Sequence, residues 1–157
     1  MSRDDVFHQQ AQALGYRFDG EIKIGGHYSP LVRDGHCLYV SGQIPRVDDT
    51  VLVTGAAGAQ VTVAQAQLAA RICIMRALAL LQRSLGSLDR LQAVCRMTVF
   101  VQSAPPFTQQ SEVADAASEI LWAVLGSAGV HSRTSVGVSQ LPKNATVEID
   151  LIATAAD

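Results

Sequence analysis

Near the C-terminus the chain reads Ser132-Arg-Thr-Ser-Val-Gly-Val-Ser-Gln-Leu-Pro-Lys-Asn-Ala-Thr-Val-Glu-Ile-Asp-Leu-Ile-Ala-Thr154. Two β-rich runs, 132–140 and 145–154, flank Leu141-Pro-Lys-Asn144, a spacing that predicts a hairpin connection. Strands send alternate side chains to opposite faces. Val136 and Val138 fall in phase with Val147, Ile149 and Leu151 and are expected on a covered face. Arg133, Ser135, Gly137 and Ser139 then share the other face with Thr146, Glu148, Asp150 and Ile152.

Working outward, Ala93–Val101 is a further strand, with Cys95, Met97, Val99 and Val101 pointing one way. A helix over about 108–125 carries the stripe Val113, Ala116, Ala117, Ile120, Leu121, Val124 and stops at Gly126. The longest element spans 64–85. Thr62-x-x-Gln65 is a capping-box pattern, Leu68, Ile72, Met75, Leu78, Leu81 and Leu85 recur at helical steps, and Gly86 supplies the stop. Upstream, His36–Ser41 reads as a strand, Glu21–Gly25 as a brief one, and residues 45–61 as a loop with a short strand near 51–53. Residues 3–15 form a short helix after a Ser2 cap. The order ββ, helix, β, helix, ββ describes an α+β protein: one mixed sheet with two long helices on one face. Residues 1–157 read as a single domain, with 1–24 as an N-terminal extension.

The composition narrows the function classes. Twelve Lys and Arg against 14 Asp and Glu leave a net charge of −2, which disfavours nucleic acid as the main ligand. With 17 % charged and 48 % hydrophobic residues the chain is expected to be globular. No uninterrupted apolar run predicts a membrane span, and the acidic Met1-Ser-Arg-Asp-Asp start is unlike a signal peptide. Three cysteines (37, 73, 95) without CxxC spacing predict neither a disulfide framework nor a zinc site. These features together predict a soluble protein of the cytoplasm.

The second sheet face is expected to mix Tyr39, Ser41, Val94, Phe100 and Ile152 with two arginines and two carboxylates. Such a surface is too apolar to stand bare, so it is expected to pack against further copies of the chain. An arginine caught there needs a carboxylate partner or an acidic ligand. Arg133 and Glu148 therefore stand out, although a structural ion pair is the commoner explanation of such residues.

Leu38-Tyr-Val-Ser-Gly-Gln-Ile-Pro45, Cys95-Arg-Met-Thr-Val-Phe-Val101 and the run 132–150 resemble the RidA/YjgF/YER057c/UK114 family over about residues 25–155. Gly129-Val-His-Ser-Arg-Thr-Ser-Val-Gly-Val138 is closer to its less characterised branch. The resemblance implies a chorismate-mutase-like fold and a homotrimer with clefts between subunits. It also implies cofactor-independent hydrolysis of reactive imines and enamines to 2-keto acids and ammonia. On that resemblance Arg133 would grip the substrate carboxylate and Glu148 would place the attacking water. Ser41 and Gly42 would lie in the same cleft, joined by Ser135 and Asp115 at positions where the family often has Cys and Asn. Leu31 stands where many members have Tyr, with Tyr28 nearby. A guanidinium fork suits a carboxylate, and imine hydrolysis suits a carboxyl whose pKa is raised by burial. The alternatives are a non-catalytic trimer that binds or senses small carboxylates and, with less support, an endoribonuclease.

The remaining reactive side chains read as structural. Cys73 and Cys95 fall on apolar faces, Trp122 on a packing stripe. His8, His27, His36 and His131 lack metal-ligand spacing, with His131 two residues before Arg133. Gly55-Ala-Ala-Gly58 is a turn, since no Gly-Lys-Ser/Thr follows.

Overall fold

The computed structural model describes all residues from Met1 to Asp157. Helix α1 (Arg3–Leu14) starts on a reciprocal cap in which Ser2 Oγ accepts the Asp5 N–H and Asp5 accepts the Ser2 N–H. Helix α2 (Val63–Leu85) begins the same way: Thr62 Oγ1 accepts the Gln65 N–H at 3.1 Å and Gln65 Oε1 accepts the Thr62 N–H at 2.8 Å. It ends at Gly86, whose φ of 82° is costly for any residue with a β carbon. By length and composition α2 could cross a membrane, yet 67 % of its apolar window is buried inside the fold. Helix α3 (Gln110–Leu125) packs beside it and ends at Gly126.

The strands are β1 (Leu31–Asp34), β2 (Cys37–Gln43), β5 (Leu91–Gln102), β6 (Ser132–Val138) and β7 (Val147–Ala155), in spatial order β1-β2-β7-β5-β6. Between β2 and α2, β3 (Arg46–Val47) and β4 (Thr50–Val51) make a separate small hairpin. Within the five-stranded sheet only the β5–β6 pair is parallel. Helix α2 covers β2 and β7, and α3 covers β5 and β6. Leu38, Met97, Val99, Ile149 and Leu151 from the sheet meet Ile72, Met75, Leu78 and Leu121 from the helices to form the core. One mixed sheet with both long helices on a single face is the architecture the sequence predicts.

Several local expectations are corrected. The runs 132–138 and 147–155 do not form a hairpin, because β5 lies between them. A helix joins β5 to β6, and a strand–helix–strand connection of this kind returns parallel to its first strand; β7 then takes β5's other edge. Parallel pairing also reverses the face assignment for β6. Arg133, Ser135 and Gly137 sit beside the core residues Met97, Val99 and Val101, and so face the helices. Val136, beside Phe100, is on the open face and 38 % exposed.

A register shift between Val94 and Arg96 breaks the alternation of β5, turning Val94 into the core and Cys95 outward. Residues 21–25 form a loop, not a strand. The strand expected near 51–53 is Thr50–Val51, paired with Arg46–Val47. Trp122 lies on the outer side of α3 and is 53 % exposed.

Candidate active site

Two groups of functional side chains emerge, separated by the sheet. The first is centred on Arg133, whose strand phase points it under α3. Its Nη1 donates to Asp115 Oδ1 at 2.8 Å and to Ser118 Oγ at 3.0 Å, and its Nη2 donates to Ser111 Oγ at 2.9 Å. Two helical turns, Ser111–Ser118, thus supply every partner, because residues three, four and seven apart share a helix face. His131 extends the network: its Nε2 is 2.9 Å from Ser118 Oγ and its Nδ1 is 2.7 Å from the Gly129 carbonyl. The Arg133 side chain is only 21 % exposed, against 58 % for Asp115. Ser135 follows on the same face and is half-buried.

The second group is centred on Glu148, on the open face beside Phe100. Strand β2 carries a register shift between Val40 and Gln43, and Ser41 and Gly42 lie in this bulge, which brings the Gly42 backbone against Glu148. A β carbon on Gly42 would stand 2.9 Å from Glu148 Cδ and Oε2, so only glycine permits the approach. Ser41 Oγ donates to the Ser29 carbonyl at 2.8 Å, tying β2 to the segment before β1. Burial, then the neighbouring negative charge of Asp150, pushes the Glu148 carboxyl above its ordinary range. Asp150 is also raised, chiefly by burial, against the opposing pull of Thr98 and Arg96.

Glu148 and Gly42 line a concavity of about 390 Å³ together with Tyr28, Gln43, Arg46 and Arg76. Lys23 and Lys143 also border it. Part of the N-terminal extension therefore builds this wall. Leu31, next in strand β1, is not among the lining residues, whereas Tyr28 is.

The expectation that Arg133 and Glu148 share a face is overturned. They lie on opposite faces, on strands separated by β5. Among the proposed site residues, Arg133 and Asp115 come together directly, with Ser135 on the same face. Gly42 and Glu148 form a second set with Ser41 alongside.

Sequence reasoning missed Arg46 and Arg76. The available signal was Arg76 itself, a charge four residues after Ile72 in the buried stripe of α2. Nowhere do three His, Cys, Asp or Glu side chains converge as metal ligands would.

Residues 19–155 match the family described as endoribonuclease L-PSP. The chain belongs to that family, the RidA/YjgF proteins. Protein TCP17 of Trypanosoma cruzi is 42 % identical over 142 residues, spanning 90 % of this chain and 89 % of its own length. Among solved structures, Atu1372 of Agrobacterium tumefaciens, a protein of unknown function, is 37 % identical with a TM-score of 0.87. That match covers 98 % of this chain and 95 % of Atu1372. A putative endoribonuclease from Shewanella oneidensis is 27 % identical, also with a TM-score of 0.87, over 94 % of this chain and 98 % of its own. The RidA/YjgF resemblance read from the β2, β5 and C-terminal motifs is thereby established at the level of family and fold.

Proposed function

We propose that this RidA/YjgF-family protein hydrolyses reactive 2-imino and 2-enamino acids to 2-keto acids and ammonia, in clefts formed between copies of the chain. The observation that carries the reading is Glu148: a half-buried carboxyl, raised in pKa, pressed against Gly42 on the wall of a concavity. Such a group can hold a water by hydrogen bond and take its proton as the oxygen adds to the imine carbon. Both water protons end on the nitrogen, the first by way of Glu148 and the second from the added hydroxyl. The C–N bond then breaks, ammonia leaves and the added oxygen becomes the keto oxygen; an enamine first tautomerises to the imine. An imine is already activated, so positioning with modest proton transfer suffices.

Arg133 supplies the carboxylate anchor in this reading. Since it faces away from Glu148 within one protomer, the cleft takes Arg133 from one copy and Glu148 from another. The open face favours association: Val32, Tyr39 and Val136 are exposed there, with Phe100 and Ile152 partly covered beside them. A closed trimer would cover this surface without leaving an unmatched copy.

A specific observation favours a second reading, a trimer that binds small carboxylates without turnover. Asp115 already occupies one arm of the Arg133 fork at 2.8 Å. The ribonuclease reading draws on the family description and one relative's name, and the net charge of −2 runs against it.

A coupled assay separates the readings. An amino-acid oxidase generates the imine, and ammonia and keto-acid release are followed. Catalysis requires release faster than the spontaneous rate and lost in Arg133→Ala. Saturable keto-acid binding with no acceleration for any amino acid would support the sensor instead.

A further inference from the structure

The concavity beside Glu148 contains more positive charge than the fold balances. Arg76, at mid-α2, is only 4 % exposed, and all of its partners are neutral. Its Nε donates to Gln43 Oε1 at 3.2 Å, Nη1 to the Arg46 carbonyl at 2.6 Å and Nη2 to the Lys23 carbonyl at 3.1 Å. Burial lowers its pKa to about 10, which leaves it charged at neutral pH. Arg46 is 8 % exposed, and its buried Nε finds no protein acceptor. Of the four cations bordering the cavity, only Lys23 has an acidic partner, Asp49. No carboxylate lies within 4.0 Å of a charged nitrogen of Arg46, Arg76 or Lys143.

A purely structural role accounts for Arg76, which ties the 21–25 loop, β2 and β3 to α2. It does not account for Arg46. Asp49, held by Lys23, feels the charge of Arg46 but makes no ion pair with it. A buried guanidinium with no carboxylate in contact is costly, and a donor with no acceptor adds to that cost. A second, narrow hollow that both arginines also border, with Glu21 and Asp48 in its wall, measures about 10 Å³, room for roughly one water. The 390 Å³ cavity, with Lys143 at its border, is the compartment large enough for a ligand.

We propose that Arg46 and Arg76 form an anion subsite adjoining Glu148, and that the protein's preferred ligands carry a second carboxylate, as the imines and keto acids of dicarboxylic amino acids do. The identification of that ligand as a substrate rests on the deaminase reading; the anion subsite itself does not. A guanidinium pairs with a planar carboxylate through charge-assisted hydrogen bonds. The second carboxylate of such a ligand would supply the counter-charge that Arg46 and Arg76 lack at the cavity wall.

Calorimetric titration of the intact protein with 2-oxoglutarate, 2-oxobutyrate and succinate tests this. The expected result is 2-oxoglutarate binding about tenfold or more tighter than 2-oxobutyrate. In Arg46→Gln that ratio should collapse to within about twofold, while Arg46→Lys, which keeps the charge but not the guanidinium fork, should keep only part of it. Thermal melting of both variants establishes that each is folded. Equal affinities in the native protein, or a ratio untouched by Arg46→Gln, would overturn the subsite. The two proposals fail separately. Imine hydrolysis with no preference for dicarboxylates removes the subsite and keeps the deaminase. Succinate binding that depends on Arg46, without acceleration of imine hydrolysis, keeps the subsite and removes the deaminase.

Discussion

Arg133 and Glu148 stand on opposite faces of one sheet, the first beside Met97 under α3, the second beside Phe100 against Gly42. Strand β5 lies between them, so their side chains cannot meet within a single protomer. The guanidinium is steadied by two turns of α3, and the carboxyl is raised by burial. Chemistry that uses both needs two copies of the chain.

In the proposed reaction Glu148 would link activity to stability. A carboxyl whose folded pKa exceeds its unfolded value binds more protons folded than unfolded, so stability falls as pH rises between the two values. The penalty is absent below the ordinary value of 4.5 and complete above the raised folded value. Glu148→Gln should therefore melt higher than the native protein at about pH 7, with the difference vanishing near about pH 4. The same variant should lose imine hydrolysis by roughly 100-fold or more. Melting curves and coupled assays across pH check both; a variant less stable at neutral pH would show that Glu148 makes contacts that stabilise its charge.

In the proposed reaction Asp115 would compete with the substrate carboxylate for Arg133. Their pair is partly exposed and its strength correspondingly modest. Asp115→Asn keeps a hydrogen-bond acceptor but removes the charge, and should lower KM for imino acids by roughly two- to fivefold while changing kcat little. A raised KM would mean that Asp115 positions Arg133 for binding.

Gly42 leaves no room for a side chain. In Gly42→Ala the new methyl would meet Glu148 at 2.9 Å, so either the bulge or the carboxyl must shift. Every close atom belongs to the flexible end of Glu148, so the carboxyl is the group that gives, at a cost toward the lower end of about 1–3 kcal/mol. The variant should melt lower and lose activity, and Gly42→Ala combined with Glu148→Ala should recover much of the stability. An additive double variant would place the cost elsewhere.

Much of this fold is legible in the sequence because local signals agree with tertiary ones. Thr62, Gln65 and Gly86 mark the ends of α2, and the apolar step between them matches its buried face. The failures lie where non-local pairing decides. Val136 and Val138 look like core residues, yet the parallel partner chosen for β6 turns them outward and Arg133 inward. The bulges near Ser41 and Cys95 break a two-residue period that no composition signal interrupts. Arg133, Glu148, Ser41 and Gly42 are recoverable as candidates from the motif, but their division between two faces is not. Arg46 was hidden differently, in a loop-like stretch whose burial arises only when α2 and residues 21–25 close over it.

The most direct test of the two-copy cleft mixes two inactive variants. Arg133→Ala and Glu148→Gln chains, co-expressed in equal amounts, would assemble at random into trimers in which about a quarter of the clefts pair an intact Arg133 from one chain with an intact Glu148 from its neighbour. The account predicts that the mixture regains imine hydrolysis to about that fraction of the native rate, while each variant alone stays inactive. A mixture as inactive as its components, in trimers shown by mass spectrometry to contain both chains, would contradict it.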